Sequence, residues 1–339
     1  MIPHNKPSFS EEEISATSRV IKSNWVAQGQ ESELFENEIC DYFEIPKGHA
    51  VVVSSGSAAL YLALWSLEAK HKNVAFPSYS CTSLRNAIFF SGASPLYLDC
   101  NNSGPNFDYE FLNNNRCDIL IAVSMFGIPS ILPQNRNFLL IEDIAQSFGA
   151  KLDGVKIGLR GEFGVCSFSA TKMFTSGGQG GAIVSRNRDL INKIKDFRNF
   201  DLRQDSLPRF NFQMSDLNAS VGRCQLAKVD NFIKKRQIIY DIYSNFKLPL
   251  LDTIDNSDPV RYRAVLNYHN PLGLINHLGK NGIKSIVPIT ESELLCDSQY
   301  VPNALKLTRS TVSLPIYPDL STEDAHKIAY ITSIYINSL

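Results

Sequence analysis

The stretch SFSATKMFTSGGQGGAIVS, residues 167–185, places one lysine between small hydroxyl-bearing residues and a glycine-rich loop. The pattern predicts a strand that ends near Ser167 and a second strand over 181–185, with Lys172 between them. At such a position, an amine with a lowered pKa can form a Schiff base with an aldehyde. An isolated lysine is by default a solvated loop residue, but glycines let the backbone pass close to a bound group. The stretch therefore favours a binding loop with a reactive lysine.

Strand-like and helix-like segments alternate through the first two-thirds of the chain. A β-branched run over 49–55, HAVVVSS, is followed by SAALYLALWSLEAK, which has helical periodicity. This alternation predicts an α/β fold with a mostly parallel sheet covered by helices on both faces. Ligands of such sheets bind beyond the carboxyl ends of the strands. Seven strands are predicted: HAVVVSS, NVAFP, SPLYLD, DILIAVS, NFLLIED, VCSFSA and GAIVS.

The character of the chain changes near Met214. The segment MSDLNASVGRCQLAKVDNFIKKRQIIYDIYSNF predicts one or two long amphipathic helices. A smaller α+β region follows, with a strand near RYRAVLNY, a helix near GLINHLGKNG and a closing helix in TEDAHKIAYITSIYI. We predict a large domain over residues 1–230 and a small C-terminal α+β domain over residues 231–339.

Composition narrows the functional class. The 339 residues are 44% hydrophobic, and 33 basic against 34 acidic residues give a net charge of -1. With no basic arm, no apolar signal core and no run long enough for a bilayer, we expect a cytoplasmic protein with neither nucleic acid nor membrane as partner. The seven cysteines are scattered, without CxxC or histidine pairing at metal spacing, so we expect free thiols and no metal.

Three further motifs are weak when taken singly. SSGSAAL, residues 54–60, predicts a helix start whose free N–H groups could bind a phosphate, although an ordinary N-cap explains it as well. Asp143, in LLIEDIAQSFGA, ends a predicted strand and could pair with a protonated ring nitrogen or merely cap a helix. Asn211, in RFNFQMSDLNAS, precedes a helix start. Neither GxxxxGK[ST] nor GxGxxG occurs, which excludes the common nucleotide loops.

The order of these motifs resembles the DegT/StrS family of sugar aminotransferases, which have the type I pyridoxal-phosphate (PLP) fold. The resemblance covers nearly the whole chain. It is carried by IPHNKPSFSEEEI, SNWVAQGQESELFENEICDYF, SSGSAALYLAL, FPSYSCTSLRNAIFFSGASPLYLDCN, IEDIAQSFGAKLDGVKIG, SFSATKMFTSGGQGGAIVS and SLPIYPDLS.

The resemblance implies a role for each matching residue near the cofactor ring. Lys172 would hold PLP covalently and later shuttle the proton. Asp143 would pair with the pyridine nitrogen and keep the ring an electron sink. Gln146 would contact the ring hydroxyl.

The resemblance also implies the phosphate contacts. Ser57 and Ala58 would bind the phosphate through backbone amides, with Gly56 at the turn beside them, and Ser167 would bind it through its hydroxyl. Asn211 matches a residue that reaches the phosphate from the neighbouring subunit. The active unit would then be a homodimer with shared sites.

Several positions depart from the family pattern. Cys81 stands where many relatives stack an aromatic residue on the cofactor ring, and Tyr79 could substitute for that residue. Gln179 replaces an acidic residue, and Gln213 replaces an arginine. GIKSIVPITESELL replaces a histidine-containing stretch. The cofactor chemistry is expected to be intact, whereas the substrate is open.

The resemblance implies transfer of an amino group from an amino acid, with glutamate expected, to a keto-sugar linked to a nucleotide, for surface-glycan precursors. Lysine at position 172 favours amination, because members of the family that remove a hydroxyl have histidine there. Two alternatives remain. One is a decarboxylase or lyase of the same fold that acts on an amino acid or another small keto substrate. The other is a non-enzymatic sensor, which the intact Lys172, Asp143 and Ser167 disfavour.

Overall fold

A computed structural model describes residues 1–102, 104–113, 116–133, 136–251 and 254–338. The helices are α1 Glu11–Lys22, α2 Gln30–Tyr42, α3 Gly56–Ser66, α4 Thr82–Ser91, α5 Arg188–Arg198, α6 Asp216–Asn245, α7 Pro271–Lys280, α8 Pro302–Ser310 and α9 Thr322–Asn337. The strands are β1 Ala50–Val53, β2 Asn73–Pro77, β3 Ser94–Leu98, β4 Ile119–Val123, β5 Leu139–Asp143, β6 Lys151–Leu152, β7 Val155–Lys156, β8 Phe163–Ser167, β9 Gly181–Val184, β10 Ser257–Asp258, β11 Ala264–Asn267 and β12 Thr311–Leu314.

The central sheet has seven strands in the order β1-β9-β8-β5-β4-β2-β3. Neighbours are parallel from β3 to β8, whereas β9 is antiparallel to both β8 and β1. The carboxyl ends of β1, β2, β4, β5 and β8 therefore meet at one edge of the sheet. The predicted α/β class and the mostly parallel seven-stranded sheet are confirmed.

Alternation along the strands builds a core on each face of the sheet. In β1, Val51 and Val53 contact the cluster that contains α3, whereas Ala50 and Val52 contact the cluster formed with α2 and α6. All four residues are buried, as expected for a sheet covered on both sides. The helix α3 is apolar nearly all round and lies inside the molecule.

The C-terminal region is a smaller α+β unit. The strands β11 and β12 pair antiparallel and pack with α7, α9 and the second half of α6. The helix α6 is continuous: its first half packs against the large sheet through Leu226 and Val229, and its second half packs against the small unit through Ile239 and Tyr243. Residue 230 lies within this helix, and a division there stays a prediction. Among the described residues, no helix is long and apolar enough to cross a membrane.

Candidate active site

The first part of the site is a close approach between the start of α3 and the end of β8. A Cβ atom at residue 56 would lie 2.7 Å from the Ser167 Cβ and 3.0 Å from its Oγ, so only glycine fits there. A Cβ atom at Gly181 would lie 2.5 Å from the carbonyl oxygen of Ser55. The two glycines thus bring the N-terminal turn of α3 against the Ser167 hydroxyl. A helix N-terminus beside a hydroxyl is a suitable cradle for a phosphate.

The hydrogen bonds of this turn refine the predicted contacts. The Ala58 amide donates to the Ser55 Oγ at 3.1 Å, so Ser55 is the N-cap of α3. The Ser57 hydroxyl donates to the Ser83 Oγ at 2.8 Å, and the Cys81 thiol donates to the same oxygen at 3.4 Å. Ser83 thus joins two predicted site residues, Ser57 and Cys81, that are 24 positions apart in the sequence.

Asp143 ends the central strand β5 and is only 4% exposed. One carboxylate oxygen accepts the Ala145 amide at 2.9 Å, as a helix cap would. Burial raises the pKa of Asp143 above its ordinary value, against the opposing effects of the Ala145 amide and the Lys172 charge. A buried carboxylate in this state is a suitable partner for a protonated ring nitrogen.

The neighbouring carboxylate, Glu142, points to the opposite face of the sheet, because side chains alternate along a strand. It is 1% exposed and is paired with Arg160, whose Nε donates at 2.7 Å. The amides of Gly158 and Arg160 also donate to it. Glu142 therefore has a structural role, and the two adjacent acids serve different purposes.

Lys172 lies in the turn after β8 and is half-buried. Its backbone amide donates to the Ser169 carbonyl at 3.0 Å, and its Nζ lies 5.8 Å from the centre of the Tyr262 ring. Its charge acts on both Asp143 and Tyr262. The N-terminal segment covers this turn, since the Asn5 side chain donates to the Thr171 carbonyl at 3.0 Å.

Gln146 and Tyr79 have different surroundings. The Gln146 Oε1 accepts the Phe126 amide at 2.9 Å, which leaves its NH₂ group as the donating end. Phe126 has a φ of 59°, so the chain turns sharply there. Tyr79 is fully buried and packs edge-on against Phe126. A ring with no exposed face cannot stack on a cofactor, so the structure argues against Tyr79 as a substitute at this position.

Asn211 lies on the exposed loop that precedes α6. Its Oδ1 accepts the Gln213 amide at 3.0 Å, and the neighbouring Phe212 carbonyl accepts the Ser54 amide at 2.9 Å. The loop is therefore fixed to the end of β1, next to the start of α3. Its base is closed by Arg209, which is paired with Asp196 at 2.8 Å and with Asp205 at 2.6 Å.

Four residues near Lys172 were not identified from the sequence. They surround the turn at the start of the small unit: His4, Arg236, Tyr262 and Arg263. The only sequence signal is RYR, residues 261–263, in which two arginines flank a tyrosine just before a strand. The other two residues are far away in sequence, so local patterns could not reveal them.

These residues fit PLP. Asp143, which has no ion pair among the described residues, and Lys172 lie at the strand ends, beside a glycine-dependent cradle for a phosphate. Within the described parts of the chain, no cluster of three His, Cys, Asp or Glu residues could hold a metal ion. The fold and site define a class of enzyme that uses a covalently held aldehyde cofactor.

The particular family follows from comparison with known proteins. Residues 7–332 match the DegT/DnrJ/EryC1/StrS aminotransferase family. The chain belongs to this family and is a PLP-dependent transaminase. The resemblance and cofactor predicted from the sequence are thus confirmed, whereas the individual site residues stay predictions.

Similar proteins agree with this assignment. GDP-perosamine synthase from Escherichia coli O157:H7 is 28% identical over 348 residues, which cover 95% of each chain. UDP-4-amino-4,6-dideoxy-N-acetyl-beta-L-altrosamine transaminase from Campylobacter jejuni is 30% identical over 262 residues, which cover 72% of this chain and 69% of that protein. The crystal structure of DesV from S. venezuelae has a TM-score of 0.88 at 26% identity, covering 97% of this chain and 95% of its own.

Proposed function

We propose that the protein transfers an amino group from glutamate to a keto-sugar linked to a nucleotide, in the synthesis of a surface-glycan precursor. The observation that carries the proposal is that, in a member of this aminotransferase family, Asp143 ends β5 and Lys172 lies in the turn after the neighbouring strand β8. The names of the relatives support the sugar substrate, since two of them are named for a GDP- or UDP-linked amino sugar.

Each residue near the reacting atoms has a proposed task. When bound, PLP withdraws the electron pair that is left when the substrate carbon loses its proton. Lys172 would hold the cofactor and, once the substrate nitrogen has displaced it, its free amine would take the proton from the substrate carbon and deliver it to the cofactor carbon on the other side of that nitrogen. Asp143 keeps the ring nitrogen protonated, because an opposite charge at hydrogen-bond range shifts a pKa by about 1–3 units. Gln146 donates its free NH₂ group to the ring hydroxyl.

The phosphate is held where α3 begins. Ser167 donates its hydroxyl, and Gly56 and Ser57 present backbone amides at the positive end of the helix. The Ala58 amide is shared with Ser55, so it contributes through the helix turn more than through a bond of its own. Cys81 lies beside Ser57 at the position of the usual stacking residue, and a thiol there supplies a smaller, polarisable contact.

Reduction with borohydride tests the cofactor site. The pyridoxyl label should map to Lys172, and Lys172→Ala should abolish turnover. L-Glutamate added to wild-type protein should convert bound PLP to pyridoxamine phosphate.

Asp143→Asn keeps the shape of the side chain and removes its charge. This variant should still bind PLP but lose orders of magnitude in turnover, and each tenfold loss of rate corresponds to about 1.4 kcal/mol of activation barrier. A label on another lysine, or near-normal turnover of Asp143→Asn, would refute the assignment.

We further propose a homodimer with shared active sites. Large apolar side chains are exposed on the loop before α6 and near the N-terminus, among them Leu202, Leu207, Phe210 and Trp25. Such surfaces are typical of protein interfaces. Asn211 lies on the same loop and would reach the partner's phosphate.

Complementation tests the shared site. Mixed dimers of Lys172→Ala and Asn211→Ala protein should regain part of the activity, because one of their two sites is assembled from the two unmutated residues. An active monomer in sedimentation experiments would contradict the proposal.

The reaction is proposed to take place in the cytoplasm. All seven cysteines are free thiols, and four of them are buried. Free thiols in this number are typical of a reducing compartment, which supports the proposal.

A further inference from the structure

A cluster of positive charges surrounds the Tyr262 ring beside Lys172. The Lys172 Nζ lies 5.8 Å from the ring centre, and the Arg263 guanidinium carbon lies 5.5 Å from it. Arg236 donates to the Tyr262 backbone carbonyl at 3.2 Å and is 1% exposed. Three cations therefore converge on one buried tyrosine at the junction of the large sheet and the small unit.

The cluster has no acidic partner among the described residues. No carboxylate of the described chain lies within 4.0 Å of a side-chain nitrogen of Lys172, Arg236 or Arg263, although ion pairs are common elsewhere in the molecule. The Nε atoms of Arg236 and Arg263 are buried and lack a hydrogen-bond partner. Buried charges are normally paired, because the loss of hydration is otherwise uncompensated.

The positive charges of the cluster lower the pKa values of two neighbouring side chains, His4 and Tyr262. Burial and the charges of Arg263, Lys284 and Arg236 lower the pKa of His4 to about 3, so His4 is neutral and can accept a hydrogen bond from Arg263, 3.4 Å away. Burial raises the pKa of Tyr262, but the charges of Lys172, Arg263 and Arg236 and a hydrogen bond with Thr171 outweigh it and hold the pKa below its ordinary value. The local potential is thus strongly positive.

We propose that Arg263 binds the α-carboxylate of the amino donor, an inference that rests on the proposed transaminase function. In an amino acid, this carboxylate is bonded to the same carbon as the nitrogen that is transferred, so it must lie close to Lys172. The phosphates of a nucleotide-sugar are farther from the reacting carbon than this carboxylate is. Arg263 and the reactive amine lie against the same Tyr262 ring, and this shared position favours the donor carboxylate.

Arg263 is the member of the cluster that is available to a ligand. Arg236 is fully buried, and its Nη1 is held by the carbonyl oxygens of Tyr262 and Ile316. Arg263 is half-buried. Among the described residues, its Nη1 makes only the long contact with His4, and its Nε, which is buried, has no hydrogen-bond partner. A guanidinium with unused donors can hold a carboxylate through two parallel hydrogen bonds.

The test compares three variants of the PLP-loaded enzyme. Arg263→Gln removes the charge, and Arg263→Lys keeps the charge but loses the paired geometry. The matched control is Arg261→Gln, two residues away, because the Arg261 Nε donates to the Gln237 side chain and its guanidinium carbon lies 3.7 Å from the centre of the Tyr240 ring. Thermal unfolding of each variant checks that it is folded.

The rate of conversion of bound PLP by L-glutamate is measured in a single turnover. Arg263→Gln should raise the half-saturating glutamate concentration about 10- to 100-fold, the effect of losing hydrogen bonds to a charged group. Arg263→Lys should give an intermediate value, and Arg261→Gln should match wild type. The KM for the nucleotide-linked keto-sugar should be unchanged in all three variants.

Binding without chemistry provides a second measurement. Glutarate should raise the thermal midpoint of wild-type protein and of Arg261→Gln, but not that of Arg263→Gln. If wild type and Arg263→Gln react equally well with glutamate, the assignment of Arg263 is overturned, whereas the proposed function is not. If Arg263→Gln instead raises the KM for the keto-sugar and leaves the half-saturating glutamate concentration unchanged, Arg263 binds the phosphates of the nucleotide, and the inference is also overturned. Wild type that reacts with no amino acid refutes the proposed function itself.

Discussion

Two buried groups of charges in this protein are built on opposite principles. In the first, Glu36 at 5% exposure is paired with Arg198 at 2.5 Å and with Lys195 at 2.7 Å, which joins α2 to α5. The same carboxylate accepts the Val52 amide at 3.1 Å, and Arg198 donates to the Val52 carbonyl at 2.8 Å. The second group is the basic cluster around Tyr262, where cations gather without a described acid.

The difference indicates how each group is used. Each charge of the Glu36 group has an opposite charge within the chain, although the Arg198 Nε has no hydrogen-bond partner among the described residues. The group therefore fixes two helices to the edge strand β1 and leaves no cation without a carboxylate for a ligand. The cations around Tyr262 repel one another and have no acidic partner among the described residues, so we expect the cluster to gain stability when an anion binds. Burial alone therefore does not identify a functional charge, whereas a cluster of cations without a counter-charge is a candidate binding site.

Removal of Arg198 should have the larger effect on stability. Arg198→Met leaves the buried Glu36 carboxylate with Lys195 as its remaining cation and should lower the free energy of unfolding by about 3–5 kcal/mol, since a buried charge loses its partner. Urea denaturation followed by circular dichroism measures the change.

Arg236→Met is the matched substitution in the other group. It loses two hydrogen bonds to carbonyl oxygens but relieves repulsion from Arg263, so the cost should be smaller, about 1–2 kcal/mol. If Arg236→Met were as destabilising as Arg198→Met, the basic cluster would be a structural element and the contrast would fail.

A smaller, pH-dependent effect should come from His4. Its pKa is near 3 in the folded protein and 6.5 in the unfolded chain, so the unfolded chain binds the extra proton between these values. Stability from this group is complete above pH 6.5 and is lost as the pH falls toward 3, by at most about 1.4 kcal/mol per pH unit. His4→Gln should flatten the pH dependence of the urea midpoint between pH 6.5 and 4.5. Equal slopes in the two proteins would show that the basic cluster does not act on His4.

The sequence predicted the sheet well because each strand is a short apolar run, whereas apolar residues in the flanking helices recur with helical periodicity. The predicted runs 73–77, 118–124 and 137–143 contain β2, β4 and β5. For the segment of α6, the periodicity predicts one or two helices, because periodicity alone does not show that a helix continues from one core into another.

Some residues of the candidate site can likewise be predicted from local sequence patterns, and others cannot. Gly56, Ser167, Asp143 and Lys172 were predicted from the sequence because each lies at or shortly after a strand end, where a parallel sheet gathers its ligand-binding residues. The turn at Gly56 and the Lys172 loop also carry local signals, glycines and small hydroxyl residues. Only the tertiary structure decided that Ser83 joins Ser57 to Cys81, that Tyr79 is in the core, and that Lys172 and Arg263 lie against one tyrosine ring with His4 beside Arg263. These are contacts between distant segments, and they depend on how the small unit and the N-terminal segment pack over the sheet, which no local pattern records.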